Sequence, residues 1–307
     1  MSIQIITPQG FEPENHFYPK ALNSQMHAVV DYFLSLTPER IVERYTHLNP
    51  GVDKAFLESI LNYKTKYFYW GGADLFHVTT ETGERKVIVI ETNSCPSGQK
   101  SMPIMHSSDE YRGYKKLIEE SFVVEMKKRS LPSGKVAVLY DKNFMEVSGY
   151  AHVIADTLNE DVFLVDINHH QLIVSEEGLL GITIDDKVIF FRAIFKYMTQ
   201  KPWSHIPLSS KTFVFNAMVA CLAGGRNKML ASKSYDFFNA EIFQSGLKIN
   251  TPETIRDVHK MEIPLWVSKF GGFAVIKNPY SNAGQGVYTI TNKDELDTFM
   301  GLEHEYE

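Results

Sequence analysis

Cysteine is scarce in this chain of 307 residues: Cys95 and Cys221 are the only two, far apart and without a Cys-x-x-Cys spacing. Two such thiols do not make a disulfide framework, and they point to a reducing compartment. Long apolar runs are missing as well. No window approaches the ~18 uncharged apolar residues that a membrane helix needs, and the opening "MSIQIITPQGFEPENHF" has neither a basic segment nor a hydrophobic stretch. The expectation is a soluble, cytoplasmic protein with no membrane partner. Positive charge is in deficit, with a formal net charge of −6 and lysines scattered along the chain. Nucleic acid is therefore not an expected partner. Low-complexity linkers and short-period repeats are lacking. So are a Gly-x-Ser-x-Gly elbow, a Walker A loop and a metal-type histidine cluster; His169 and His170 are adjacent, so on an extended chain they point to opposite sides.

What is present is a chain with 44% apolar residues, enough for roughly two or three compact units. Boundaries follow changes of hydrophobic period. From about Asn15 to Tyr67 the spacing is mostly helical, and "ALNSQMHAVVDYFLSL" lines up Leu22, Met26, Val29, Val30 and Phe33 as a stripe expected to face the core. "DLFHVTTETGERKVIVIETNS" changes to period two on both sides of Gly83 and predicts a hairpin. "GYKKLIEESFVVEMKKR" predicts an amphipathic helix. After "LPSG", the segments "KVAVLYD", "AHVIADTLNE" and "DVFLVD" read as strand, helix and strand, the pattern of a parallel βαβ unit, and "GLLGITIDDKVIFFRAIF" adds a hairpin. Beyond Gly224 and Gly225 come a helix stopped by Gly246 and a last hairpin. The expected fold class is α/β in three parts: 1–130 with helices and a strand pair, 131–222 with the parallel unit, and 223–307.

Two stretches carry chemistry. In "AVIKNPYSNAGQGVYTI", two short apolar strands flank a polar loop too long for a tight turn. Gly284 and Gly286 let backbone come close to a neighbour, Ser281 and Asn282 add small polar groups, and Lys277 supplies a point charge at the loop's mouth. Such a loop suits phosphate; an ordinary hairpin tip with a surface lysine is the competing reading. In "KVIVIETNSCPSGQKSMP", an apolar strand emerges into Glu91-Thr92-Asn93. Residues two apart in a strand share a face, so the Glu91 carboxylate and Asn93 carboxamide stand side by side as hard oxygen donors suited to Mg²⁺. A solvated strand end followed by an Asx turn before Pro96 is the alternative.

Read together and in this order, the Glu-x-Asn strand end, the α/β unit and the lysine with its glycine-rich hairpin resemble the ATP-grasp superfamily of ligases. More narrowly they resemble its circularly permuted branch, the eukaryotic-type glutathione synthetases, in which the Glu-x-Asn strand comes early. The similarity of order runs from about Tyr63 to Tyr288. It implies an ATP-grasp-like fold in which 131–222 is a substrate-binding domain and 223–307 part of a nucleotide-binding domain with a lid. "GITIDDKVIFFRAIFKY" resembles the family's strand pair with an arginine after two aromatics, which makes Arg192 the candidate catalytic and carboxylate-binding residue. Ser97, in the loop after Glu-x-Asn, is the second candidate substrate contact. "CLAGGRNKML" resembles the segment ahead of a nucleotide-contacting lysine, a place that Arg226 or Lys228 can fill, and "VIKNPYSNAGQGVY" resembles the loop over the triphosphate. The implied cofactors are ATP and Mg²⁺. The implied reaction joins a small carboxylate to a small amine through an acyl phosphate, with no protein nucleophile.

The chain also departs from that pattern. Gly72 stands where the family has an arginine ahead of Asp74, and Ser281 and Asn282 occupy the neighbourhood of its lid glutamate, a further metal ligand. The chain stops about twenty residues after Gly286, ahead of the strands expected to complete an adenine slot. These features favour a truncated chain, one half of a split gene completed by a C-terminal partner chain or a second copy, or a degenerate relative. The alternative function is accordingly a noncatalytic nucleotide- or metabolite-binding module.

Overall fold

The computed structural model of the protein describes residues 3–104, 109–199, 202–281 and 285–303. Its centre is a mixed seven-stranded sheet built of β1 (Ile3–Ile6), β4 (Lys135–Tyr140), β5 (Val162–Asp166), β6 (Ile173–Val174), β7 (Leu180–Ile184), β8 (Lys187–Tyr197) and β9 (Phe213–Phe215). Strands β5, β4 and β8 are parallel neighbours, and the Phe144–Leu158 helix crosses between β4 and β5 as the βαβ reading expects. The second half of β8 pairs in parallel with β9, while its first half pairs antiparallel with β7 across the Asp185–Asp186 turn. The class is therefore α/β.

Strand parity distributes the sheet's side chains between two cores. Val136, Val138 and Tyr140 of β4 join a large cluster with Tyr114, Phe122, Val147, Tyr150 and Phe195, whereas Ala137 and Leu139 join Phe163, Leu180, Phe191 and Ile194 on the opposite face. A strand covered on both faces reads as a continuous apolar run, which is why "VAVLY" shows no alternation.

The sheet also corrects the expected boundary at residue 130. Strand β1 pairs antiparallel with β5, and Phe11 and Phe17 pack in the same cluster as the Phe144–Leu158 helix. Segments 1–130 and 131–222 thus share a sheet and a core, because "IQII" is too short to bury itself and finds the free edge of β5. The expected stripe of Val29, Val30 and Phe33 is exposed too, at 55%, 48% and 44%, since no element covers that face of the Ala28–Leu34 helix among the described residues. Outside the sheet lie the predicted hairpin, β2 (Gly72–Thr79) with β3 (Arg85–Asn93), and the last hairpin, β10 (Ala274–Lys277) with β11 (Val287–Ile290). The latter packs on the Ile263–Lys269 and Lys293–Gly301 helices through Ile263, Val267, Ile290 and Phe299. No helix among the described residues is long and apolar enough to cross a membrane.

The N-terminal segment is held by an acid-sensitive contact. His16 is buried against Phe11 and His152, its Nδ1 lies 3.1 Å from the Ser148 hydroxyl, and its Nε2 has no partner among the described residues. Burial, and then the neighbouring His152, pushes the His16 pKa down from the usual 6.5 to about 4. Burial lowers His152 as well, with Asp156 pulling the other way. Below pH 6.5 the unfolded chain takes up protons that the folded chain refuses, so stability falls with pH and the His16 loss levels off near pH 4. Urea unfolding at stepped pH should show a loss on the order of 3 kcal/mol from His16 across that window, beginning above the carboxylate range. A flat stability between pH 6.5 and 4.5 would contradict this account.

Candidate functional site

A cleft of about 300 Å³ opens beside the C-terminal ends of β4 and β8, where ligands of open α/β sheets characteristically bind. Three structures meet there: the ends of the β2–β3 hairpin, the loop after β4, and the turn at Leu222–Arg226 with the helix that follows. Of the residues singled out in the sequence, the cleft gathers Glu91, Asn93, Ser97, Arg226, Lys228 and Ser281.

The hairpin is fixed at its base by Asn216. This fully buried residue, in the left-handed conformation at φ 57°, follows β9 directly. Its Oδ1 accepts the Tyr69 N–H at 2.8 Å and the Trp70 N–H at 3.2 Å, while Nδ2 donates to the carbonyls of Trp70 and Ser94. Those residues are the two stems of the hairpin. Glu91 and Asn93 then stand on one strand face as predicted, with the Asn93 amide 3.5 Å from Glu91 Oε1. Cross-strand register sets Asp74 opposite Glu91, so a second carboxylate lines the same cleft. Sequence reasoning placed Asp74 beside the motif without a role, because its partnership with Glu91 depends on the bulge at Ile90 in β3. Two carboxylates and a carboxamide are the hard-oxygen set that Mg²⁺ takes together with phosphate oxygens. Among the described residues no three His, Cys, Asp or Glu side chains are grouped to hold a metal by themselves.

The basic wall arises from a backbone feature. Gly225, at φ 99°, brings the Leu222–Arg226 turn so close to β3 that a Cβ there would lie 1.6 Å from the Thr92 carbonyl oxygen. The turn delivers Arg226, 4% exposed, whose Nε donates to Ser94 Oγ at 3.2 Å and whose guanidinium donates to the Thr199 carbonyl at 3.0 Å. Arg226 is thus fastened to the cleft wall. Lys228 begins the next helix after the N-cap Asn227, and its ammonium donates to the Ser281 carbonyl. Burial holds the Lys228 pKa below the usual range, opposed by Glu91 and reinforced by Lys277 and Arg226. Lys277 does not line the cleft but lies close enough to act on it. Arg226, Lys228 and, behind them, Lys277 thus gather positive charge on the side of the cleft facing Glu91.

The described parts of the loop after Lys277, residues 277–281 and 285–286, are drawn together. Asn278 N–H donates to the Gly286 carbonyl at 2.7 Å, the Lys228 N–H donates to the Pro279 carbonyl at 2.9 Å, and Tyr280 packs on Trp203. Gly286, at φ 60°, is required by this closure: a Cβ there would come within 2.3 Å of Ser281 Oγ. Its close neighbour is the loop itself. Asn282 and Gly284 lie outside the described residues.

The opposite wall is held by Glu146, fully buried in the first turn of the Phe144–Leu158 helix. Its carboxylate accepts Ser97 Oγ–H at 2.9 Å, Gly98 N–H at 3.0 Å and Gln99 N–H at 3.1 Å. Ser97 therefore lines the cleft with its hydroxyl already engaged. Asn143, left-handed at φ 60°, donates to Tyr197 Oη at 3.1 Å, and Lys142 lines the cleft between them. Neither Glu146 nor Lys142 was recognised from the sequence; a charged residue two positions into a helix reads as surface until the loop it holds is known.

Arg192 is the main correction. It pairs with Glu160 and donates to the Gly134 carbonyl at 2.6 Å, at the start of β4. Five residues separate it from Tyr197, roughly 16 Å along the strand, so it stands at the far end of the sheet from the cleft. Phe191 before it points into the core with Phe163, Leu180 and Ile194, and its guanidinium serves a structural ion pair. A wider groove of about 460 Å³ lies between β3 and the Lys228–Glu241 helix, but its Arg256 is occupied by Asp236 at 2.6 Å and Ser232 at 2.8 Å. It holds none of the residues singled out above.

No protein-family model matches this chain, and no curated protein is significantly similar to it.

Two substitutions test the cleft's construction. Gly225→Ala should lose at least ~3 kcal/mol of unfolding free energy, because backbone must move to admit the methyl, whereas Gly271→Ala, at φ 76° with nothing nearby, should lose only about 1 kcal/mol. Similar losses in chemical denaturation would show that the approach to Thr92 is not constrained. Glu146→Gln puts an amide against three donors; a cost of about 1–3 kcal/mol and faster hydrogen exchange at Gly98 and Gln99 are expected.

Proposed function

We propose that this cleft binds Mg-ATP and that the protein is an ATP-dependent carboxylate–amine ligase of ATP-grasp type. The observation that carries the proposal is the convergence, in one cleft, of the Glu91–Asn93 strand end with Asp74, the Arg226–Lys228 pair and the loop that begins at Lys277. Glu91, Asn93 and Asp74 would hold the metal, and Lys228, with Lys277 behind it, would meet the phosphates. When bound, ATP would activate the acid as an acyl phosphate for attack by an amine.

The chain's own groups have separable tasks. Lys228, already desolvated by burial, is the cation that an entering phosphate would pair with. Ser281 lines the same wall, and the loop it belongs to would exclude water that competes with the amine. With Arg192 engaged elsewhere, the acid's carboxylate has Lys142 and Asn143 beside the β4 end as its available partners. The alternative, a nucleotide-binding module without turnover, is favoured by one observation: only two carboxylates line the cleft among the described residues.

Calorimetric titration with Mg-ATP tests the binding half. Lys228→Met should weaken affinity by about tenfold or more, and Glu91→Gln should remove the dependence on Mg²⁺. Arg192→Lys should lower stability and leave affinity unchanged, the reverse of what a substrate clamp would do. Wild-type affinity in Lys228→Met would dismiss the site. Release of ADP only when an acid and an amine are both supplied separates ligase from binding module.

A further inference from the structure

Lys196 is fully buried near the end of β8, and the side-chain partners of its ammonium are two sulfurs: Cys221 Sγ at 3.2 Å and Cys95 Sγ at 3.6 Å. Among the described residues no carboxylate is bonded to it. Cys221 is fully buried and donates to the Asn216 carbonyl at 3.3 Å; Cys95 lies 3.4 Å from the Lys196 carbonyl and forms part of the cleft wall. A buried ammonium needs a counter-ion, and a thiolate is the one within reach. Cys95 also faces Arg226, a second cation beside its sulfur. The arrangement gathers what a reactive cysteine requires: cationic neighbours, an opening to solvent through the cleft, and a second thiol at the same nitrogen.

We propose that Cys95 and Cys221 are a peroxide-oxidisable pair served by Lys196, closing to a disulfide across the base of the cleft. The Cys95 thiolate attacks hydrogen peroxide, breaking the O–O bond. Sulfur takes one oxygen as sulfenic acid, and the Lys196 ammonium protonates the departing hydroxide to water. The neutral amine then removes the Cys221 proton, and the new thiolate attacks the Cys95 sulfur. The S–S bond forms as the S–O bond breaks, and the hydroxide released takes the proton back from Lys196 as a second water. In sum, one peroxide is reduced, two sulfurs lose one electron each, and Lys196 ends neutral, the form a buried lysine adopts once its counter-ion is gone. Both sulfurs contact one nitrogen, and closure brings them to the ~2.05 Å of a disulfide.

The bond would join two walls of the cleft. Cys95 follows Asn93 by two residues, and Cys221 opens the turn that carries Arg226. The proposal holds whatever ligand the cleft takes.

The test is intact-mass analysis of the full chain after hydrogen peroxide, with peptide mapping under non-reducing conditions. Loss of two hydrogens, a Cys95–Cys221 cross-linked peptide and reversal by dithiothreitol are expected. Cys95→Ser should abolish the reaction. Cys221→Ser should stop at an oxidised Cys95, trapped by a sulfenic-acid reagent. Lys196→Met, an apolar side chain of similar length, should slow oxidation at neutral pH by about tenfold or more. Three results would overturn the proposal: no cross-link in the wild type, loss of two hydrogens persisting in Cys221→Ser, or a net gain of one oxygen with loss of two hydrogens. The last two would mean that Lys196 itself is bonded to sulfur.

Discussion

Asn216 directs both ends of its carboxamide at the stems of the β2–β3 hairpin, and the site follows from that contact. The hairpin has only two strands, and two strands in water are marginal by themselves. Leu75, Phe76 and Val87 remain exposed, so burial contributes little to its placement. What fixes it is polar: four hydrogen bonds from one buried side chain, in a left-handed conformation that asparagine tolerates better than most residues. A buried carboxamide that loses a partner is left with an unmet donor or acceptor, which makes the arrangement specific.

From that anchor the cleft is assembled by close approaches. Gly225 rests on the Thr92 carbonyl, Tyr235 donates to Thr92 Oγ1 at 3.1 Å, and Ser94 receives Arg226. The strand end that carries Glu91 and Asn93 is thereby surrounded by the turn that carries the cations. Opposite charges are brought near without being fully paired: Lys228 donates to a carbonyl, and Glu91 is bonded to a neighbouring amide. An anion entering there would meet Lys228 and Lys277, which repel each other in its absence.

Much of this was legible beforehand. "VAVLY" and "VFLVD" announce buried parallel strands because side chains on both faces must be apolar, and Gly83 announces the first hairpin. Glu91 and Asn93 share a face because strand geometry has a period of two. Lys228 and Arg226 follow a glycine pair whose purpose the structure supplies. Arg192 was misread because aromatics before an arginine suggest a rigid platform, and only sheet register says at which end of the strand it stands. The Val29, Val30 and Phe33 stripe was misread for a related reason: periodicity identifies an apolar face but not whether anything lies against it.

The sequence by itself determined the α/β class and the order of the elements, because these depend on local periodicity. Tertiary structure alone decided that β1 belongs to the central sheet and that Glu146 holds the Ser97 loop. It also decided that Lys196 sits between Cys95 and Cys221, residues 101 and 25 positions away. Such contacts depend on strand register and on which buried polar groups find partners. Both are properties of the whole packed chain, since a donor or acceptor must be satisfied wherever the fold leaves it.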